Sequence, residues 1–512
     1  MRLLNSRTKI LEDFVGAIPP YAILSHTWEH EEVTFSAIED ASIDHTTRQG
    51  WYEIEKSCDQ ALHDGLDYVW VDTVCIDKSS SAELSEAINS MFKWYRDSSV
   101  CYGYLYDLPA VTFESSRWFT RGWTLQEMIA PQHLEFYDRN WNFIGSKSHL
   151  VDQLYHITGV DITILQGGSL RFISVARKMS WAAKRQTARV EDTAYCLLGL
   201  FDLSMPMLYG EGSKAFIRLQ EEIVKEYDDH SLFAWKSSTA NESAGIFANS
   251  PADFTTSANI GSSIGLLSEP VMVTSRGVRI SARLTKMDNS SPDDIMFLAV
   301  LNCRFLDFDM ERNKRIAIAL GKCRENASPT YVRLRPSELF SSYTLKKERQ
   351  TIYVLKGNHI EYISGSSLLW IRSMPATGNG CCPLELVIAH PREQWDERER
   401  LFRANVTENA SVTQFLLVFC YANRGRDPVH FLVYFGFNDR HDDRIGWCNI
   451  KFHPSPDLTY LDADCVVPDS DKYRYHMIQE VGVTLKCHMA LVAVSGQKIC
   501  TADLHARVSE EP

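Results

Sequence analysis

The sequence predicts an α/β first half, built on a parallel sheet with added helices, followed by a β-rich, sandwich-like C-terminal domain. Three observations predict it. Between residues 18 and 145 short β-type runs alternate with helical periodicities; from 146 to 235 the pattern is almost wholly helical; beyond 250 β-type runs follow one another between Gly, Pro, Asn, Asp and Ser. Alternation implies parallel pairing through right-handed crossovers, whereas successive strands joined by turn residues imply an antiparallel sandwich or barrel-like domain. The boundaries read as 1–235 for the first domain (α/β core 18–145, helical extension 146–235), 236–250 for a Ser- and Asn-rich linker, and 251–512 for the second domain.

The first strand is the run Tyr21-Ala-Ile-Leu-Ser-His26, apolar and then polar, as a buried parallel strand feeding a functional loop is. The loop is Thr27-Trp28-Glu29-His30-Glu31-Glu32. Helices are expected near Phe35 to Asp40 and from Trp51 to Asp64, where Ile54, Cys58, Ala61 and Leu62 mark one face and Gly65 closes the element. Tyr68 to Asp77 is β-branched and aromatic, hence a second strand. Ser80 with Glu83 has capping-box spacing, and Leu84, Ile88, Met91 and Tyr95 then recur at helical intervals. Val100 to Leu108 reads as a third strand and His133 to Tyr137 as a fourth.

Between them, Arg121-Gly-Trp-Thr-Leu-Gln-Glu127 opens a short helix that Pro131 stops. Trp123 and Glu127, four residues apart, share a face, and an acid early in a helix lies near the positive end of its dipole. In an open parallel sheet the ligand site lies beyond the carboxyl ends of the strands. That rule puts Ser25, His26, Trp28, Asp72, Asp77 and the entry to the Glu127 helix on one rim. Farther on, Glu191 to Gly199 forms a helix, and another begins at Ser213 with Phe216, Leu219, Ile223 and Tyr227 on its core face. Gly210-Glu-Gly212-Ser-Lys214 lacks the spacing of a phosphate loop.

Composition narrows the function. Lys and Arg number 53 against 66 Asp and Glu, for a net charge of −13 without a basic stripe, which argues against nucleic-acid binding. The 13 cysteines are scattered apart from Cys381-Cys382 and form no C-x-x-C pair, so they read as reduced thiols; no metal site is assigned. The N-terminus lacks the apolar core of a signal peptide, and runs such as Phe415 to Ala422 are too short to span a bilayer. A cytoplasmic protein is expected.

Four blocks, Tyr21-Ala-Ile-Leu-Ser-His-Thr-Trp28, Trp70-Val-Asp-Thr-Val-Cys-Ile-Asp77, Arg121 to Glu127, and Arg185-Gln-Thr-Ala-Arg-Val-Glu-Asp-Thr-Ala-Tyr-Cys-Leu-Leu-Gly199, resemble the fungal heterokaryon-incompatibility (HET) domain. Met205-Pro-Met-Leu-Tyr-Gly-Glu-Gly212 extends the likeness, which covers roughly the first half of the chain. The resemblance implies a protein of fungal non-self recognition that triggers cell death. HET domains are in turn distantly similar to TIR domains, which have a flavodoxin-like fold and many of which cleave NAD with a glutamate in a Trp-x-x-x-Glu context. By that likeness Glu127 is the catalytic acid, and Ser25, His26, Trp28, Asp72, Asp77 and Trp123 border the nucleotide. NAD would be a substrate and no cofactor would be required. The partner would be a second copy or another incompatibility protein. Two departures stand out: Glu29 follows the first block where HET sequences commonly carry Gly, and Asp77-Lys-Ser-Ser-Ser lacks the Gly-x-Pro of many TIR domains. The competing expectation is a non-catalytic signalling module that acts by self-association or partner binding, with the C-terminal domain as its regulator.

Overall fold

The computed structural model describes residues 1–40, 44–238, 243–263, 269–287, 296–306, 314–322, 330–342, 348–356, 366–374, 384–390, 392, 395–398, 400–405, 414–421, 428–437, 446–453, 473, 475–480, 483–494 and 497–508. The chain forms two compact units, Met1–Gly321 with Thr330–Asn358, and Lys322–Pro329 with His359–Pro512.

In the first unit, β1 (Arg2–Asn5), β2 (Leu11–Asp13), β3 (Ala22–His26), β4 (Tyr68–Trp70), β5 (Val100–Leu105), β6 (Leu134–Asp138) and β7 (Phe143–Ser146) form one sheet in the order β2-β1-β4-β3-β5-β6-β7. The inner strands β4, β3, β5 and β6 are mutually parallel. Antiparallel strands extend the sheet at both sides. β3 and β5 are buried along their whole length, which their near-continuous apolar sequences allow only with both faces covered. By chain order the parallel strands run second, first, third, fourth. The direction of winding therefore reverses between β3 and β5, which opens a crevice at their carboxyl ends. Ser25 and His26 are the last two residues of β3.

The covering helices are α1 (Phe35–Glu39), α2 (Trp51–His63), the single turn α3 (Asp72–Cys75), α4 (Ser81–Asp97) and α5 (Thr124–Ile129). The buried face of α2 carries Ile54, Cys58 and Ala61. Gly65 follows it at φ +77°, a conformation that favours glycine. Ser80 Oγ accepts the Glu83 amide of α4 at 3.3 Å, but the Glu83 carboxylate reaches past the cap to the Asp77 amide at 2.8 Å.

Three expected strands differ in length or register. The run from Tyr68 leaves the sheet at Trp70 and coils into α3, with the Cys75 amide donating to Val71 O at 2.8 Å. β-branched residues favour extended backbone only where partners flank them, and here burial of Thr73, Val74 and Cys75 outweighs that preference. β5 ends at Leu105, and β6 is displaced one residue toward Asp138.

After β7 the chain is mainly helical, with Val151–Thr158, Val175–Ala182 and Lys214–Glu226 as its longer helices. The segment around Gln186 docks beside α5: the Gln186 amide donates to Thr120 O and the Gly122 amide to Gln186 O, both at 2.7 Å. Beyond residue 270, Gly277–Lys286 pairs with Met296–Val300 and Gln350–Val354, the last runs parallel to Thr330–Leu334, and Arg315–Lys322 joins Met296–Val300 to Thr330–Leu334. These five strands close a ring. Its side chains Ile280, Ile318, Tyr331 and Ile352 share one core with Trp235, Phe247 and the α/β layer.

The expected division at 236–250 does not coincide with the boundary between the compact units. Trp235, Ile246 and Phe247 are buried, and the Trp235 indole donates to Ile246 O at 2.9 Å, so the chain on either side of this stretch packs together. Residues 239–242 of it lie outside the described residues, as does Cys381-Cys382.

The second unit contains a six-stranded and a four-stranded sheet. Leu369, Phe402 and Leu485 of the former share a core with Phe415, Phe431 and Ile450 of the latter, the arrangement of a β-sandwich.

Candidate functional site

Ser25, at the carboxyl end of β3, donates its hydroxyl to Glu127 Oε2 at 2.5 Å and accepts the Trp118 indole N–H at 2.9 Å. The helix that presents Glu127 is fixed at both ends. Arg185 Nη1 donates to Arg121 O at 2.8 Å and to Thr124 Oγ1 at 2.9 Å. Lys147 Nζ donates to Met128 O at 3.2 Å and also to Pro131 O. All six residues of α5 are buried, and Glu127 itself is 7% exposed. Burial pushes its carboxyl up to about 7; the Ser25 hydrogen bond opposes this, the Asp72 charge adds to it, and His26 and Arg121 oppose it.

His26 makes a second cluster. Its Nδ1 lies 2.5 Å from Glu53 Oε1 and its Nε2 2.9 Å from Asp72 Oδ1. Burial alone would lower the imidazole pKa, but the two carboxylates outweigh it and hold the ring well above its ordinary value. Asp72 also accepts the Trp28 indole N–H at 3.0 Å and lies 3.5 Å from Lys78 Nζ. Burial would raise its carboxyl, yet Lys78, His26 and Trp28 together hold it well below the usual range. Lys78 stands 3.5 Å above the Trp28 ring, a cation–π contact, and Trp28 is 43% exposed, so this pair forms the outer lip.

Glu32 reaches the same cluster from the loop after β3. Its Oε1 accepts the Glu29 amide at 2.6 Å, and its Oε2 is buried with no hydrogen-bond partner among the described residues. Burial pushes the Glu32 carboxyl up to about 7, with His26 and Lys78 opposing and Glu53 and Asp72 adding. Glu29, the departure from the family pattern, pairs with Arg117.

The structure thus brings together Ser25 with Glu127, and His26 with Trp28 and Asp72. It does not bring in Asp77, whose Oδ1 accepts the Ser79 amide at 2.9 Å and hydroxyl at 2.6 Å; those bonds hold its carboxyl low. Trp123 stands half-buried at the N-cap position of α5, near enough to Asp192 to oppose the rise that burial gives that carboxyl. Glu53, Glu32 and Lys78 escaped the sequence reading. Glu53 had a faint signal in Ser57, one turn later on α2 and also buried; Glu32 had only its place in the loop after β3. In the extension, Glu191 accepts the Gly210 and Gly212 amides at 2.8 and 3.0 Å, so those amides serve the fold, as the missing phosphate-loop spacing led one to expect.

Residues 21–109, which hold β3, the Trp28 loop and Asp72, match the family model described as Heterokaryon incompatibility protein (HET). Over these residues the chain is similar to the HET domain family. Residues 214–263 match a second model, a domain of unknown function (DUF8212). The chain is 46% identical over 226 residues to the vegetative incompatibility protein HET-E-1 of Podospora anserina, which covers 41% of this chain and 16% of that protein. No solved structure matches. Among the described residues no helix is long and apolar enough to cross a membrane.

Proposed function

We propose that this chain is a cell-death effector of non-self recognition whose HET domain hydrolyses NAD, with Glu127 as the catalytic carboxylate. One observation carries it: the Ser25–Glu127 pair lies at the carboxyl end of β3, beside the point where the winding of the sheet reverses. The second-first-third-fourth order of the parallel strands is the order of flavodoxin-like sheets, which supports kinship with the TIR fold. In the reaction the bond from the ribosyl C1′ to the nicotinamide nitrogen breaks, water adds at C1′, and ADP-ribose, nicotinamide and a proton leave. Cationic character grows on the ribosyl ring as the bond lengthens, and an ionised Glu127 stabilises it more than the ground state. Ser25 orients that carboxylate, and Trp28 offers an exposed aromatic face to the nucleotide.

Purified protein should consume NAD, faster as the pH rises through about 7 and Glu127 ionises. The Glu127→Ala variant should be slower by about 100-fold or more. Equal, negligible turnover by both proteins, while the wild type still kills cells, would exclude the enzymatic reading.

A second reading has its own observation. Ser25 is fully buried, Glu127 nearly so, and His26 is bonded at both ring nitrogens, as members of a structural polar network are. On that reading the HET domain signals without catalysis, through a second copy or another incompatibility protein.

A further inference from the structure

We propose that His26, Glu32 and Glu53 form a site for one divalent transition-metal cation, with Asp72 as the partner that orients His26. One ring nitrogen of His26 and one carboxylate oxygen each of Glu32 and Glu53 lie within 4.8 Å of one another, and Nδ1 is the nitrogen that faces Glu53. This site goes beyond NAD hydrolysis and shares no ligand with the Ser25–Glu127 pair.

The donor set has the right chemistry. One imidazole and two carboxylates suit zinc or manganese, and three protein ligands leave a position for water. Nε2 of His26 faces Asp72 at 2.9 Å and Nδ1 faces Glu53 at 2.5 Å, so a cation at the cluster would displace the Nδ1 proton while Asp72 keeps hold of the ring. A carboxylate behind a ligating imidazole is the usual support of such a ligand. The charge also fits: a dication that displaces the imidazole proton takes over the ion pairing that His26 now gives Glu53, while Asp72 keeps Nε2 and Lys78.

A separate observation is Glu32 Oε2, a buried carboxylate oxygen without a hydrogen-bond partner among the described residues. Such an oxygen is costly to bury unless something binds it. It lies tight against the start of α2, where a Cβ added to Gly50 would come within 2.9 Å of it. A tetrahedral ion with ligands at about 2.1 Å needs donors roughly 3.4 Å apart. The His26–Glu53 pair must therefore open from 2.5 Å and Glu32 must close in, movements within the reach of side-chain rotations. Glu32 is half-buried, so the cation can enter from the Trp28 loop.

The test uses the full-length chain, freed of metal by dialysis against a chelator, then titrated with zinc chloride against a chromophoric chelator. The wild type should take up about one equivalent with micromolar or tighter affinity. Glu32→Gln, which keeps the shape and removes the charge, should weaken binding at least about tenfold, and Asp72→Asn by roughly 10- to 100-fold. Glu127→Ala should bind zinc as the wild type does, so the metal site and NAD hydrolysis can fail separately. No uptake by the wild type at 100 μM zinc would overturn the proposal. So would wild-type affinity in both Glu32→Gln and Asp72→Asn, since zinc would then be held elsewhere.

Discussion

Replacing Glu127 by Gln should stabilise the protein by about 3 kcal/mol at pH 8 and by under about 1 kcal/mol at pH 5. The folded state holds the Glu127 proton to about pH 7, whereas an unburied glutamate releases it near 4.5. Because the folded pKa is raised, the proton's contribution to stability is fully present below about 4.5 and is lost as pH rises through about 7. A displacement of about 2.5 pH units at about 1.36 kcal/mol each makes that loss on the order of 3 kcal/mol. Glutamine imitates the neutral acid and cannot ionise, so the variant avoids it. For a unit of roughly 350 residues, with an unfolding entropy of about 2.1 cal/mol/K per residue, 3 kcal/mol raises the midpoint by about 4 °C. Thermal unfolding of the full chain, followed by tryptophan fluorescence at both pH values, measures it. A Gln variant no more stable than wild type at pH 8, or one stabilised equally at pH 5 and 8, would refute the account of a carboxyl held neutral by burial. The variant should also lose NAD turnover, so that stability and activity move in opposite directions.

Two substitutions probe how α5 is held. Gly122→Ala places a Cβ 2.4 Å from Thr187 Cγ2 and 3.2 Å from Cys196 Sγ; the overpacking should cost about 1–3 kcal/mol, read from the denaturation midpoint, and a wild-type midpoint would show that the docked segment gives way. Lys147→Met leaves the carbonyls of Met128 and Pro131 without their donor and should destabilise the protein by about 2 kcal/mol, the relief of a buried charge offsetting part of the loss; an unchanged midpoint would mean that Lys147 does not brace the Glu127 helix.

The sequence by itself determined the order of the four parallel strands and of the helices α2 and α4 between them, because in a buried parallel sheet each strand must be apolar and each helix must show a stripe; β1, β2 and β7 were not among the strands it foretold. The runs at Ala22 and Val100 and the spacing of Ile54, Cys58 and Ala61 carry that information locally. It also carried the likeness to the HET family, because the blocks around His26 and Asp72 are contiguous. Tertiary structure alone decided where Tyr68 to Asp77 stops being a strand, since burial of Val74 and Cys75 competes with a β preference that the residues share along the whole run. The same holds for Gln497–Val508, a polar-rich stretch whose strand character comes from its twelve-residue pairing with Val483–Val494. The site divides in the same way. Ser25, His26, Asp72 and Glu127 stand at strand ends and a helix start that a topological rule could align. Glu53 and Glu32 reach His26 from a helix and a loop through side chains alone. Spacing along one element fixes which residues share its face, whereas the partner across the crevice depends on how separate elements pack, and no local pattern encodes that.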